Sequence, residues 1–126
     1  MRDLHLPGRS AVYARNGLCA TSHPIAAQVA IELLKSGGNA VDAALAGALV
    51  LGIAEPQMTG IGGDCFFLVK PAGSEEIVAL NGSGRSPKGL NAADLRAKGL
   101  TAMPIQAIES VTLPGAIDAF CRLNAD

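Results

Sequence analysis

Gly37-Gly-Asn-Ala-Val-Asp-Ala-Ala44, followed by Glu55-Pro-Gln-Met-Thr-Gly-Ile-Gly-Gly63, decides how the rest of the chain reads. The paired glycines end one helix, with one of them in a left-handed C-cap. Asn39 is a good N-cap for the next, and Asp42, three residues on, reaches back in capping-box manner. From Ala40 to about Ile53 the chain is apolar nearly all round, which predicts a helix buried between layers. Its alanines at 40, 43, 44, 46 and 48, with Gly47, keep it thin enough for close approach to a sheet or a second helix. Pro56 forbids its continuation. Thr59 to Asp64 is then a loop with glycines at 60, 62 and 63.

Upstream, residues 1–10 read as an irregular polar arm and residues 11–126 as the folded portion. A short strand is expected around Gly17-Leu-Cys-Ala-Thr21. A helix starts at Ser22 or His23, with Pro24 in its first turn, where a missing N–H costs nothing. Ile25, Ala26, Val29, Ala30, Leu33 and Leu34 form its apolar face, and Gln28, Glu32 and Lys35 its wet one. Downstream, Cys65 to Lys70 and Ile77 to Leu80 are two strands of a hairpin around the Pro71–Glu76 turn. Asn81 to Pro87 is a glycine- and serine-rich loop, followed by a short helix near Ala92 to Lys98. Glu109-Ser-Val-Thr-Leu-Pro-Gly115 leads into a last helix carrying Ile117, Phe120 and Cys121. That helix stops at Asn124-Ala-Asp126 without a glycine cap, so a truncated domain is expected.

Composition narrows the function. Apolar residues are 49% and charged residues 17% of the 126, richer in core material than a small isolated domain needs. The excess reads as interior of something larger. Net charge is −1 without a basic block, and aromatics are 3%, so neither phosphate-backbone contacts nor base stacking is provided for. The longest apolar run, Ala43 to Ala54, is too short to span a bilayer, and the N-terminus lacks the apolar core of a signal peptide. No nucleic acid, no membrane and a cytoplasmic location are the expectations. Cys19, Cys65 and Cys121 share no metal-ligand spacing and sit among apolar neighbours, which suggests reduced core residues. No metal site and no cofactor are expected.

The turn Gly60-Ile-Gly-Gly63 follows a helix and precedes a strand, the reverse of a phosphate loop or dinucleotide fingerprint. It supplies close backbone approach instead. His23 is read as a capping residue rather than a general base, Asp42 as a cap, and Asp64 as a hydrogen-bond partner of the glycine turn. The best site candidate is Asn81-Gly-Ser-Gly-Arg-Ser-Pro87, which leaves the end of a strand and presents one fixed cation, Arg85. Such an arginine is either a bidentate grip for a carboxylate or a solvated surface charge.

Thr21-Ser-His-Pro24, Gly37 to Ala44, Glu55-Pro56, Gly60 to Gly63, the Phe66–Val69 strand and Leu113-Pro-Gly115 together resemble the large subunit of the γ-glutamyltranspeptidase family, from about Gly17 onward. The resemblance implies the N-terminal nucleophile hydrolase fold, an α/β (α+β) αββα sandwich of which only the N-terminal portion is present. It also implies self-cleavage of a precursor that frees a threonine. The threonine hydroxyl attacks a γ-glutamyl (glutathione-type) or related amide, and its own amine is the base. Nothing in these 126 residues corresponds to that threonine. The implied partners are a small-molecule amide substrate, the remainder of the large subunit and the small subunit, and the chain alone is expected to be inactive and to fold poorly. Members of the glutathione-handling type carry a loop resembling Asp-Gly-Arg-Glu-x-Ala-Pro, whose arginine holds the glutamyl α-carboxylate. Anchored on Pro87, Ser83 stands at that arginine, Gly84 at the glutamate and Asn81 at the aspartate, while Arg85 lies two residues late. Either Arg85 swings in as the clamp or the substrate lacks that carboxylate, and the second is favoured on sequence alone. Ser83 and Arg85 are the substrate-binding candidates. The rival reading is a non-catalytic truncated product or scaffold half-domain. A dinucleotide-binding module has the wrong motif order.

Overall fold

The computed structural model describes residues 10–125. In chain order the elements are α1 (Pro24–Lys35), α2 (Ala40–Ala54), β1 (Cys65–Val69), β2 (Val78–Gly82), α3 (Ala92–Ala97) and α4 (Ala116–Ala125), with a 3-10 turn at Ile108–Ser110 before α4. The irregular arm expected over residues 1–10 lies, Ser10 apart, outside the described residues.

Local chemistry sets the helix ends. His23 is the N-cap of α1, its Nδ1 accepting the Ile25 N–H at 3.3 Å, so this imidazole is engaged by the backbone. At the other end Gly37 has φ +100°, a conformation that costs glycine little. The Gly38 N–H donates to the Leu33 carbonyl and the Gly37 N–H to the Leu34 carbonyl, the paired bonds of a Schellman motif. Asn39 Oδ1 then accepts the N–H groups of Val41 and Asp42 at 2.7 and 3.0 Å, and Asp42 Oδ2 accepts the Asn39 N–H at 2.9 Å. The chain therefore reverses within a few residues on satisfied backbone groups. Asn39→Ala should lower stability by about 1 kcal/mol, whereas Asn39→Asp should stay close to the parent. Urea melts of the full-length protein check this, through a lower midpoint at unchanged slope.

α1 and α2 pack through small residues. Ala26 and Ala30 are fully buried, and a Cβ built on Gly47 would lie 3.7 Å from the Ala26 carbonyl oxygen. Ser22 Oγ donates to Glu55 Oε2 at 2.6 Å and ties the start of α1 to the end of α2. β1 and β2 pair antiparallel, from Cys65 opposite Gly82 to Val69 opposite Val78. α4 lies against both strands and against α2, burying Ala116 and Ala119. Ala119 sits so close to Gly82 that any side chain there would collide with it.

Several expectations are corrected. Residues 17–21 form no strand, and the sheet of the described residues has β1 and β2 alone. The Gly17 backbone instead lies against Leu34, 3.1 Å from its Cδ1 to an added Cβ. β2 runs on through Asn81 and Gly82, because the ladder to Phe66 and Cys65 outweighs their poor strand preference. α2 is not enclosed: Ala43, Leu45 and Gly47 are buried, but Leu49 and Ile53 on its other sides are exposed, since within the described residues α1 covers one face. The cysteines are free but not core, with Cys19 and Cys65 half-buried and Cys121 exposed. Among the described residues no helix is long and apolar enough to cross a membrane.

Candidate functional site

Three irregular segments meet where β1 begins and β2 ends. The Gly63 carbonyl accepts two N–H groups, from Gly115 at 3.1 Å and Ala116 at 2.9 Å. Both amides open α4, where the first-turn donors have no partner within the helix. The Leu113 N–H donates to the Arg85 carbonyl at 2.9 Å. Asp64 Oδ1 accepts the Gly84 N–H at 2.7 Å, linking residues 20 apart in sequence. The Thr59–Asp64 turn, the Ser83–Pro87 loop and the run into α4 are thus knitted by four hydrogen bonds. Asp64 makes the structural bond expected of it, but to the Arg85-bearing loop rather than to its own turn.

Glycine makes this approach possible. A Cβ on Gly84 would overlap the Leu113 carbonyl and come 2.7 Å from Thr112 Oγ1. One on Gly115 would overlap the Gly82 carbonyl and lie 2.9 Å from the Gly84 nitrogen. Backbone therefore touches backbone at Gly82, Gly84 and Gly115, and no other residue type fits there.

Beside this junction, between β2 and α4, lies a cleft of about 200 Å³. Ser83 and Arg85 line it together, as do Asn81, Asp118 and Arg122. Ser83 is held by its backbone, whose N–H donates to Asn81 Oδ1 at 2.9 Å in an Asx-turn. Arg122 Nε pairs with Asp118 Oδ2 at 2.9 Å across one turn of α4. That pair is internally neutral, so Arg85 supplies the net positive charge of the cleft. Such a lining suits a small ligand with one carboxylate and further hydrogen-bonding groups. The sequence reading missed Asp118 and Arg122. Their i,i+4 spacing was legible as a helix pair, but nothing local places α4 beside β2. His23 and Asp42 are caps away from the cleft lining.

The one perturbed group nearby is Cys65, paired with Gly82 across the sheet, whose thiol burial pushes above its ordinary value. A thiol shifted that way is mostly protonated near neutral pH and is a poor nucleophile. Among the described residues no three His, Cys, Asp or Glu side chains are grouped as metal ligands would be. The cleft thus offers recognition groups, and the described residues bring no activated nucleophile into it.

Comparison with known proteins gives the wider setting. Residues 26–125 match the family described as Gamma-glutamyltranspeptidase. The chain is 38% identical over 104 residues to the glutathione hydrolase-like YwrD proenzyme of Bacillus subtilis (strain 168), covering 82% of this chain and 19% of that protein. It superposes on a cephalosporin acylase from Bacillus halodurans with a TM-score of 0.83 and 44% identity, over 98% of this chain and 23% of the other. On the γ-glutamyltranspeptidase of Helicobacter pylori the TM-score is 0.79 at 27% identity, over 92% of this chain and 34% of the other. The chain thus spans about a fifth of that curated relative and no more than about a third of these solved structures. Its helix pair, hairpin and glycine-knit loops have the mixed α/β architecture of those neighbours, and by the match over most of its length the chain belongs to the γ-glutamyltranspeptidase family.

Proposed function

We propose that this chain forms the N-terminal part of the large subunit of an amide-cleaving enzyme of this family, one that hydrolyses or transfers the acyl group of a γ-glutamyl or related amide. The nucleophile is a threonine freed by self-cleavage elsewhere in the precursor. The remainder of the large subunit and the small subunit are this chain's partners, and the 126 residues are inactive without them. The Ser83–Arg85 loop borders the acyl pocket, and Arg85 grips a carboxylate of the acyl donor. The observation that carries this reading is the cleft in which Ser83 and Arg85 stand together while Arg122 is neutralised by Asp118. A guanidinium forms paired, charge-assisted hydrogen bonds to a carboxylate, which fixes orientation as well as adding affinity. That lining favours Arg85 as a displaced clamp over a donor without a carboxylate. The names of the relatives agree in being hydrolases or acyl-transferring enzymes, and the word proenzyme for the Bacillus subtilis protein agrees with self-processing.

The exposed apolar residues support the rest of the αββα sandwich as their cover. Phe66 and Leu68 on the outer face of the hairpin are 70% and 75% exposed, and Ile53 on α2 is 85% exposed. Burying side chains of this kind contributes roughly 1.5–3 kcal/mol each, so the assembled layers stabilise what this chain leaves open. The test is expression of the full precursor. It should cleave itself into two chains, the smaller beginning with threonine, and should turn over amide substrates. An uncleaved precursor whose threonine-free variant is equally active would defeat the proposal.

A further inference from the structure

We infer that Asp64 is a positioning residue for the proposed substrate loop, setting the Ser83–Arg85 segment through its bond to the Gly84 N–H. The inference rests on the reading that this loop borders the acyl pocket. Gly84 lies between the two proposed contact residues, and its N–H is directed at Asp64 Oδ1, 2.7 Å away. On one side of Gly84 the loop is fixed by the Ser83–Asn81 Asx-turn, and on the other by the Leu113 bond to the Arg85 carbonyl. Asp64 is the brace that joins this segment to the glycine turn, and through Gly63 to the start of α4. A carboxylate accepting a backbone N–H makes a charge-assisted bond, stronger than the neutral bonds on either side of it. With glycines at 82 and 84 the segment has little stiffness of its own, so the brace decides how much freedom Arg85 loses before substrate arrives. Asp64 does not line the cleft. It acts through the loop, and its loss should weaken substrate capture more than the chemical step.

The experiment uses the full-length, self-processed enzyme and its Asp64→Ala, Asp64→Asn and Arg85→Ala variants, with the double variant Asp64→Ala/Arg85→Ala. The probes are γ-glutamyl anilide and glutaryl anilide, and hydrogen exchange is followed on peptides spanning residues 80–90. Asp64→Ala should raise KM about tenfold with kcat within about threefold, and should speed exchange of the loop amides. Asp64→Asn keeps an acceptor oxygen and should restore most of the KM. In the Arg85→Ala background Asp64→Ala should add less than twofold, because both changes disable one grip. A parental KM and parental exchange in Asp64→Ala, beside an impaired Arg85→Ala, would overturn the inference and leave the site reading standing. Fully additive effects would overturn it as well. Faster loop exchange in Asp64→Ala with neither variant altering turnover would instead remove the site reading and, with it, the positioning role. Should the alanine variant fail to process, Asp64→Ser carries the same comparison of KM, kcat and loop exchange, with the same outcomes for and against.

Discussion

Gly84→Ala should abolish soluble, self-processed enzyme. Its added methyl has nowhere to go: the Leu113 carbonyl stands in its place and Thr112 Oγ1 lies 2.7 Å off. Both neighbours belong to a segment already committed, since the Leu113 N–H is bound to the Arg85 carbonyl. Relief therefore requires the loop and the approach to α4 to separate, and that breaks the Asp64–Gly84 and Leu113–Arg85 bonds together. Overpacking of this kind costs about 3 kcal/mol, with the lost hydrogen bonds adding to it. Gly115→Ala should behave alike, because its methyl overlaps the Gly82 carbonyl. Gly89→Ala is the control: nothing lies within 4 Å of a Cβ there, and that variant should express, process and melt like the parent. Thermal melting and the ratio of precursor to processed chains read all three. A Gly84→Ala protein that processes and melts normally would mean that the three segments do not meet as described.

Arg85→Ala should cut kcat/KM about a hundredfold on anilides whose acyl part carries a carboxylate, and leave a neutral butyryl anilide within about threefold. Removing one partner of a paired charge costs a few kcal/mol, and each 1.4 kcal/mol is tenfold. The selectivity of the loss matters more than its size. Damage to the fold would slow every substrate alike, whereas a lost grip slows only those it gripped. Arg85→Lys should recover part of the loss, since a point charge remains but the bidentate fork does not. If neutral and carboxylate-bearing anilides are turned over equally, and Arg85→Ala changes neither, the donor lacks the carboxylate and the loop serves another substrate.

Features fixed by neighbours in sequence were legible, and features fixed by distant approach were not. The stop at Gly37-Gly38 and the restart at Asn39 need only residues within one turn, and both appear with the expected bonds. The hairpin was legible because two short apolar runs, Cys65 to Val69 and Ile77 to Leu80, flank an obvious turn, which Gly73 takes with φ +76°. The strand expected at residues 17–21 fails for the opposite reason. A strand needs an edge to pair with, and sequence cannot say whether one is near. The same blindness stopped β2 at Leu80, although Asn81 and Gly82 complete the ladder. At the site, Ser83 and Arg85 stood out by composition, but their neighbours did not. Asp118 and Arg122 reach the cleft only because Ala119 packs on Gly82, a contact no periodicity announces. Asp64 was rightly taken for a hydrogen-bond acceptor, but its donor lies across the fold.

The double acceptance at the Gly63 carbonyl also bears on the order in which the chain folds. α1 and α2 are joined by a short reversal and make their contacts early, at little cost in loop closure. The Gly63 bonds join the Thr59–Asp64 turn to the start of α4, and closing so long an interval gives no return until α4 is in hand. During synthesis the helical hairpin should therefore appear first, and the loop that bears Arg85 should settle only after residue 116 has emerged. A ribosome paused before that point would carry a formed helix pair and an unlatched site, open to proteolysis between the two.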